Sequence, residues 1–165
     1  MSRVLGIDPG TLNMGVGIID SDGSNLKMVY TGVITPKKRD QIHIRLGYIH
    51  TELTALVSKY KPDEIAVESP FVATNVRTAI AIGQAQAVAM IVSAHHNLPL
   101  YSYPPTEIKQ SVTNYGQASK DQVSEMVYVL LDADVSTESF DASDALAVAI
   151  CHINVTEFND LQIRT

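Results

Sequence analysis

Along the first third of the chain, apolar residues follow the two-residue period of strands. Val4 to Asp8 is a short apolar run, Asp8-Pro9-Gly10-Thr11 is turn chemistry, and Met14 to Ile19 resumes with Gly15 and Gly17 alternating against apolar neighbours. This pattern predicts a tight hairpin. Asp22-Gly23 marks a second turn, after which Met28, Tyr30, Gly32 and Ile34 alternate with Lys27, Val29, Thr31 and Val33 as a third strand. The period then lengthens: Ile42, Leu46, Ile49, Leu53, Leu56 and Tyr60 fall on one stripe of a helix that ends before Pro62. Glu64 to Glu68 reads as a short strand, Asn75 to about Ala94 as a helix, and Leu98 to Tyr101 as a further strand stopped by Pro104-Pro105.

Three helices complete the chain. Thr106 to Asn114 is short; Ser119-Lys120-Asp121-Gln122 is a capping box that opens a helix with Val123, Met126, Val127, Leu130 and Leu131 inward; Asp141 to about Asn154 is the last. Three strands, a helix, a strand, a helix, a strand and terminal helices predict an α/β layer fold with a mixed sheet of five strands flanked by helices. Ala79, Gly83 and Ala87 form a small-residue stripe at i, i+4 spacing, a candidate face for close packing or for a dimer.

Length and charge narrow the classes. A chain of 165 residues, 45% apolar, carries a core of its own and is read as a single domain over residues 1–165. Its net charge of −6 argues against general electrostatic binding to nucleic acid or an anionic membrane, so any nucleic-acid contact must use local patches. One cysteine, Cys151, excludes an intrachain disulfide, and the five histidines form no zinc-binding pattern. No basic segment followed by an apolar one opens the sequence. The uncharged stretch from Thr78 to Thr106 is broken by Gln84, Gln86, His95, His96 and Pro99, so no membrane contact and a cytoplasmic location are expected.

Four acids then stand out. Asp8 and Glu68 each close an apolar strand, and Asp141 and Asp144 are i, i+3 neighbours in the first turn of an Ala-rich helix. If the two strand ends lie side by side beneath that helix, the carboxylates converge, and like charges at such range require a cation. Hard oxygens without Cys or His suit Mg²⁺ or Mn²⁺, and a pair of such ions is the apparatus of phosphodiester hydrolysis. The alternative is that Asp8 only initiates a turn, Asp141 caps a helix with Asp144 against its dipole, and Glu68 pairs with a lysine. Spacing leaves both readings open.

The wording of the motifs adds to this. Leu5-Gly6-Ile7-Asp8-Pro9-Gly10-Thr11, Ala66-Val67-Glu68 with Phe71 and Asn75 after it, Gly83-Gln84-Ala85, Pro105-Thr106-Glu107-Ile108-Lys109-Gln110, Ala118-Ser119-Lys120-Asp121-Gln122-Val123 and Asp141-Ala142-Ser143-Asp144-Ala145-Leu146-Ala147 closely resemble, in order and spacing, the RuvC family of Holliday-junction resolvases. The resemblance implies a ribonuclease H-like fold and a homodimer. It also implies Mg²⁺-dependent nicking of two opposed strands of four-way DNA during recombination and repair, leaving 5′-phosphate and 3′-hydroxyl ends. A branch-migration motor is the implied partner in cellular relatives. By the same resemblance Asp8, Glu68, Asp141 and Asp144 are the catalytic metal ligands, for two Mg²⁺ ions that Mn²⁺ can replace.

Lys109 and Lys120 match lysines that lie near the scissile phosphate in the family, the alternative being solvated helix lysines. Phe71 either stacks on an unpaired base at the opened junction or tucks into the core. Asn75 and Arg77 either touch DNA or cap and solvate their helix. The sequence departs from the family at Thr74, where a basic residue is frequent, and at Gln86-Ala87, where Arg-Gly is frequent, which removes two charges expected to face phosphate and is compatible with a phage or otherwise divergent branch. The basic run Lys37-Lys38-Arg39 either compensates or is a solvated loop. Competing functions are a broader debranching nuclease of phage type, an RNA-directed ribonuclease H-like nuclease, a junction-binding module without catalysis, and an actin-like ATPase or sugar kinase. That last class shares the opening strand, turn and hairpin but needs two such domains.

Overall fold

A computed structural model describes residues 1–23, 25–69, 76–133 and 139–163. Five strands, β1 (Ser2–Asp8), β2 (Met14–Ser21), β3 (Leu26–Ile34), β4 (Glu64–Glu68) and β5 (Leu100–Tyr103), form one mixed sheet in the order β3-β2-β1-β4-β5. The first three make an antiparallel meander, and β4 joins the free side of β1 in parallel, with β5 parallel beyond it. The helices are α1 (Ile42–Tyr60), α2 (Val76–His96), α3 (Pro105–Thr113), α4 (Lys120–Leu130) and α5 (Phe140–Ile163).

The alternation of each strand sorts its side chains between two cores. Leu5, Ile7, Val16, Ile18, Ile65 and Val67 pack with Ile49, Leu53 and Val57 of α1 and with Ala85, Ala89 and Val92 of α2. Val4, Ile19 and Ala66 face the opposite way, toward α3, α4 and α5. Asp8 and Glu68 follow the same alternation, which puts both on the α5 side of the sheet.

Helix α5 approaches that side closely because the strands beneath it carry glycines. A side-chain carbon at Gly6 would overlap the carbonyl oxygen of Ala145, and one at Gly15 would overlap that of Asp141. Gly6 pairs with Gly17 and Asp8 with Gly15 across the β1–β2 ladder, so the groove is continuous and ends beside Asp8. Further along α5, buried His152 is held by Glu64 Oε2 at 2.6 Å from Nε2 and by the Tyr103 hydroxyl at 2.7 Å from Nδ1. The helix is therefore anchored to β1 and β2 near its start and to β4 and β5 two turns later.

Element bounds and one helix face differ from the sequence reading. The fifth strand begins at Leu100 rather than Leu98, because α2 closes with Asn97 at φ 54° and the Leu98 N–H donating to the Ser93 carbonyl at 3.0 Å. The last helix continues to Ile163. In α4, Tyr128 is buried while Met126 and Leu130 are exposed, so the inward stripe is Val123, Val127, Tyr128 and Leu131. Helix α2 is long and apolar enough to cross a membrane by length and composition, yet it lays Ala85, Val88, Ala89 and Val92 into the core shared with α1.

Candidate active site

The parallel register sets Ile7 against Val67, which brings the succeeding residues, Asp8 and Glu68, to the same end of neighbouring strands. Carboxyl ends of strands, where the sheet changes direction of winding, are the usual place for a site in such folds. Both acids are half-buried. Asp144 comes down on them from α5, whose first turn is capped by Ser139, the Ala142 N–H donating to its Oγ at 3.3 Å. Asp141 thus sits inside the helix instead of capping it.

Lys120 reaches across to Asp144, with Nζ at 2.7 Å from Oδ2. Its position is fixed by the expected capping box: the Gln122 N–H donates to Ser119 Oγ at 3.2 Å, and the Ser119 N–H donates to Gln122 Oε1 at 2.9 Å. Ser119→Ala should cost about 1 kcal/mol in thermal unfolding. It should also lower the activity of the site more than stability loss explains, because Lys120 loses its fixed origin; unchanged activity would remove the lysine from the site.

Asp8, Glu68, Lys109, Lys120 and Asp144 line one cleft of about 250 Å³, with Ile108 among its apolar walls. Asp141 does not line it; its carbonyl oxygen lies over Gly15, and its carboxylate acts on Asp8 through space. Burial, then the neighbouring charges of Glu68 and Asp144, push the Asp8 carboxyl up to about 7, against the opposing pull of Lys120. Glu68 is raised by burial and then by Asp144, with Lys120 and Lys109 opposing. Lys120 is raised in turn by its hydrogen bond to Asp144.

These shifts reflect burial first, and then negative charge from neighbouring acids that the lysines only partly offset. Among the described residues no three acidic, histidine or cysteine side chains close on one point as a finished metal cage, and Asp144 is engaged by the Lys120 ammonium instead. The donors available are hard oxygens only, the set that suits Mg²⁺ or Mn²⁺. Cys151 and His152 are buried among the helices and β4–β5. Of the other residues singled out in the sequence, Arg77 is exposed on the first turn of α2, and Phe71 and Asn75 lie outside the described residues.

The family described as crossover junction endodeoxyribonuclease RuvC matches residues 4–152. A crossover junction endodeoxyribonuclease RuvC of Dehalococcoides mccartyi is 46% identical over 159 residues, covering 96% of this chain and 95% of the relative. The chain belongs to the RuvC family. A second relative of the same description, from Alkaliphilus oremlandii, is 40% identical over 96% of each chain. The structure of T. thermophilus RuvC in complex with a Holliday junction substrate matches at a TM-score of 0.90 and 26% identity, covering 96% of this chain and 97% of that one.

This RuvC-family chain is accordingly a nuclease with a ribonuclease H-like fold, and metal dependence is general in the family. The structure corrects one inference from the sequence. Gln86, read from the resemblance as the place of a missing phosphate-facing charge, is 8% exposed and turned to Ser102 on β5, with Nε2 3.5 Å from its Oγ. Its lack of charge removes nothing from a solvent-facing surface. The features the sequence reading missed are the glycine groove and the Ser139 cap. The alternation of Gly15 and Gly17 was visible, but only the docked helix gives it a reason.

Proposed function

We propose that this chain resolves four-way DNA junctions as a homodimer, each subunit nicking one of two opposed strands. The observation that carries this reading is the cleft in which Asp8, Glu68 and Asp144 share one electrostatic field with Lys109 and Lys120. Asp8, Glu68, Asp141 and Asp144 are the groups that would hold two Mg²⁺ ions. When bound, such ions act as Lewis acids and make water nucleophilic near neutral pH. The chain's own part is to hold the acids at fixed positions, to meet the scissile phosphate with Lys109 and Lys120, and to keep attack in line. The products are 5′-phosphate and 3′-hydroxyl ends.

Residues 1–165 are taken as one nuclease domain acting in the cytoplasm. Its second copy is expected on α2, where Val76, Ile80 and Met90 are exposed apolar residues and nothing stands within 4 Å of a carbon added at Gly83. The relatives from Dehalococcoides mccartyi and Alkaliphilus oremlandii, 46% and 40% identical, come from cellular organisms, which supports the cellular reading with a branch-migration motor as partner.

A labelled panel of four-way, three-way and linear DNA and RNA–DNA hybrid, with Mg²⁺ or EDTA, tests the proposal. Paired symmetric nicks on the four-way junction in Mg²⁺ alone are the expected result, with a solution mass of two chains. Equal cutting of every branched form would move the assignment to a general debranching nuclease, and preferential loss of the hybrid to an RNA nuclease.

A further inference from the structure

Cationic side chains lie at both ends of the sheet. Lys27, Lys59 and Lys61 belong to the end away from Asp8, where β3 starts and α1 finishes. Lys109, Lys120 and Arg77 belong to the end that carries the cleft. So does the run Lys37-Lys38-Arg39, which joins the end of β3 to the start of α1. Ile34, the last residue of β3, pairs with Met14, the first of β2, and Met14 follows the turn that leaves Asp8. The run thus sits on the opposite flank of the cleft from Lys109 and Lys120.

The run is not a loose loop. Pro36 before it is buried, and the Asp40 N–H donates to the Lys37 carbonyl at 3.0 Å, closing a turn that holds all three cationic side chains outward and exposed. Among the described residues none of the three makes an ion pair or side-chain hydrogen bond, and Asp40, half-buried, is the acid beside them. Exposed charges are screened beyond about 8 Å at physiological ionic strength, so these cations act on a ligand by direct contact and not through their distant field.

We propose that the Lys37–Arg39 turn is a second phosphate site, gripping the backbone of a DNA arm that crosses the cleft end of the sheet. This rests on the junction-cutting reading above and extends it. In a chain of net charge −6, two cationic flanks on either side of an acidic cleft are what allow a polyanion to approach it at all.

The test compares wild type with two triple variants, Lys37→Ala/Lys38→Ala/Arg39→Ala and Lys27→Ala/Lys59→Ala/Lys61→Ala. Junction affinity is measured in EDTA from about 50 to 200 mM salt. Removing one cation from a phosphate should reduce the slope of log K against log salt by about 0.9, so the first variant should show a slope smaller by about 2–3 and an affinity at least tenfold weaker at low salt. The second variant, with the same change in net charge, should bind as wild type does. An unchanged slope in the first variant, or equal weakening in both, overturns the proposal. Cutting by wild type in Mg²⁺ is followed on the same junction, so failure of the arm contact leaves an active enzyme, while an inactive wild type overturns both readings.

Discussion

Asp8→Asn is expected to abolish strand cutting while making the metal-free protein more stable. The amide keeps the shape of the side chain and removes one charged oxygen donor, so junction binding should persist and cutting should fall on the order of 10³-fold. Stability moves the other way because Asp8 is a burden to the fold. Its ordinary ionisation lies at 3.8 and the folded protein pushes it to about 7. Between these values the folded state keeps a proton that the unfolded chain has released. Its contribution therefore favours folding fully below about 4 and is lost as pH rises through about 7. Converted at about 1.4 kcal/mol per pH unit, the cost at high pH is at most about 4 kcal/mol, and less because Asp8 keeps some contact with water.

In EDTA at pH 8, Asp8→Asn should thus melt roughly 5 °C above wild type, the gap closing toward pH 4. Mg²⁺ should raise the wild-type midpoint and leave the variant nearly unmoved. Equal cutting by the two proteins would falsify the assigned site. A variant that melts lower than wild type at pH 8 would show that the carboxylate is compensated by something other than an added cation.

Gly15→Val should have the largest structural effect. The valine carbon would occupy the place of the Asp141 carbonyl oxygen, which is backbone and cannot rotate away. Helix α5 must lift from the sheet at its first turn, costing at least about 3 kcal/mol, at the top of the usual range for overpacking. Gly47→Ala is the control: it lies on α1 with nothing within 4 Å of the added carbon, and should stabilise by up to about 1 kcal/mol. Both are read by denaturant unfolding. If Gly15→Val unfolds at the wild-type midpoint, the helix is not seated on that glycine, and the placement of Asp141 and Asp144 loses its basis.

Much of this architecture was legible from local rules. The alternation in β1 and β4 placed Asp8 and Glu68 on strand ends, and Ser119 with Gln122 announced the start of α4 that sets Lys120. What stayed hidden was anything decided by tertiary contact. The family resemblance suggested that position 86 faces phosphate, but Gln86 is buried between α2 and β5. Met126 and Leu130 read as core and are exposed, because α4 turns Tyr128 inward. Glu64 and His152 carry no local signal at all: they are 88 residues apart and meet only because the parallel crossover sets β4 beneath α5.

The same crossover governs when chemistry can begin during synthesis. Asp8 is translated early, Glu68 after a helix has been made, and Asp144 only once α5 leaves the ribosome, while the hairpin alone holds a single member of the set. On the proposed assignment a growing polypeptide therefore carries no destructive capability toward the genome, and hydrolytic competence arrives together with the docking of that helix. Emergence of α5 and arming of the enzyme are one step.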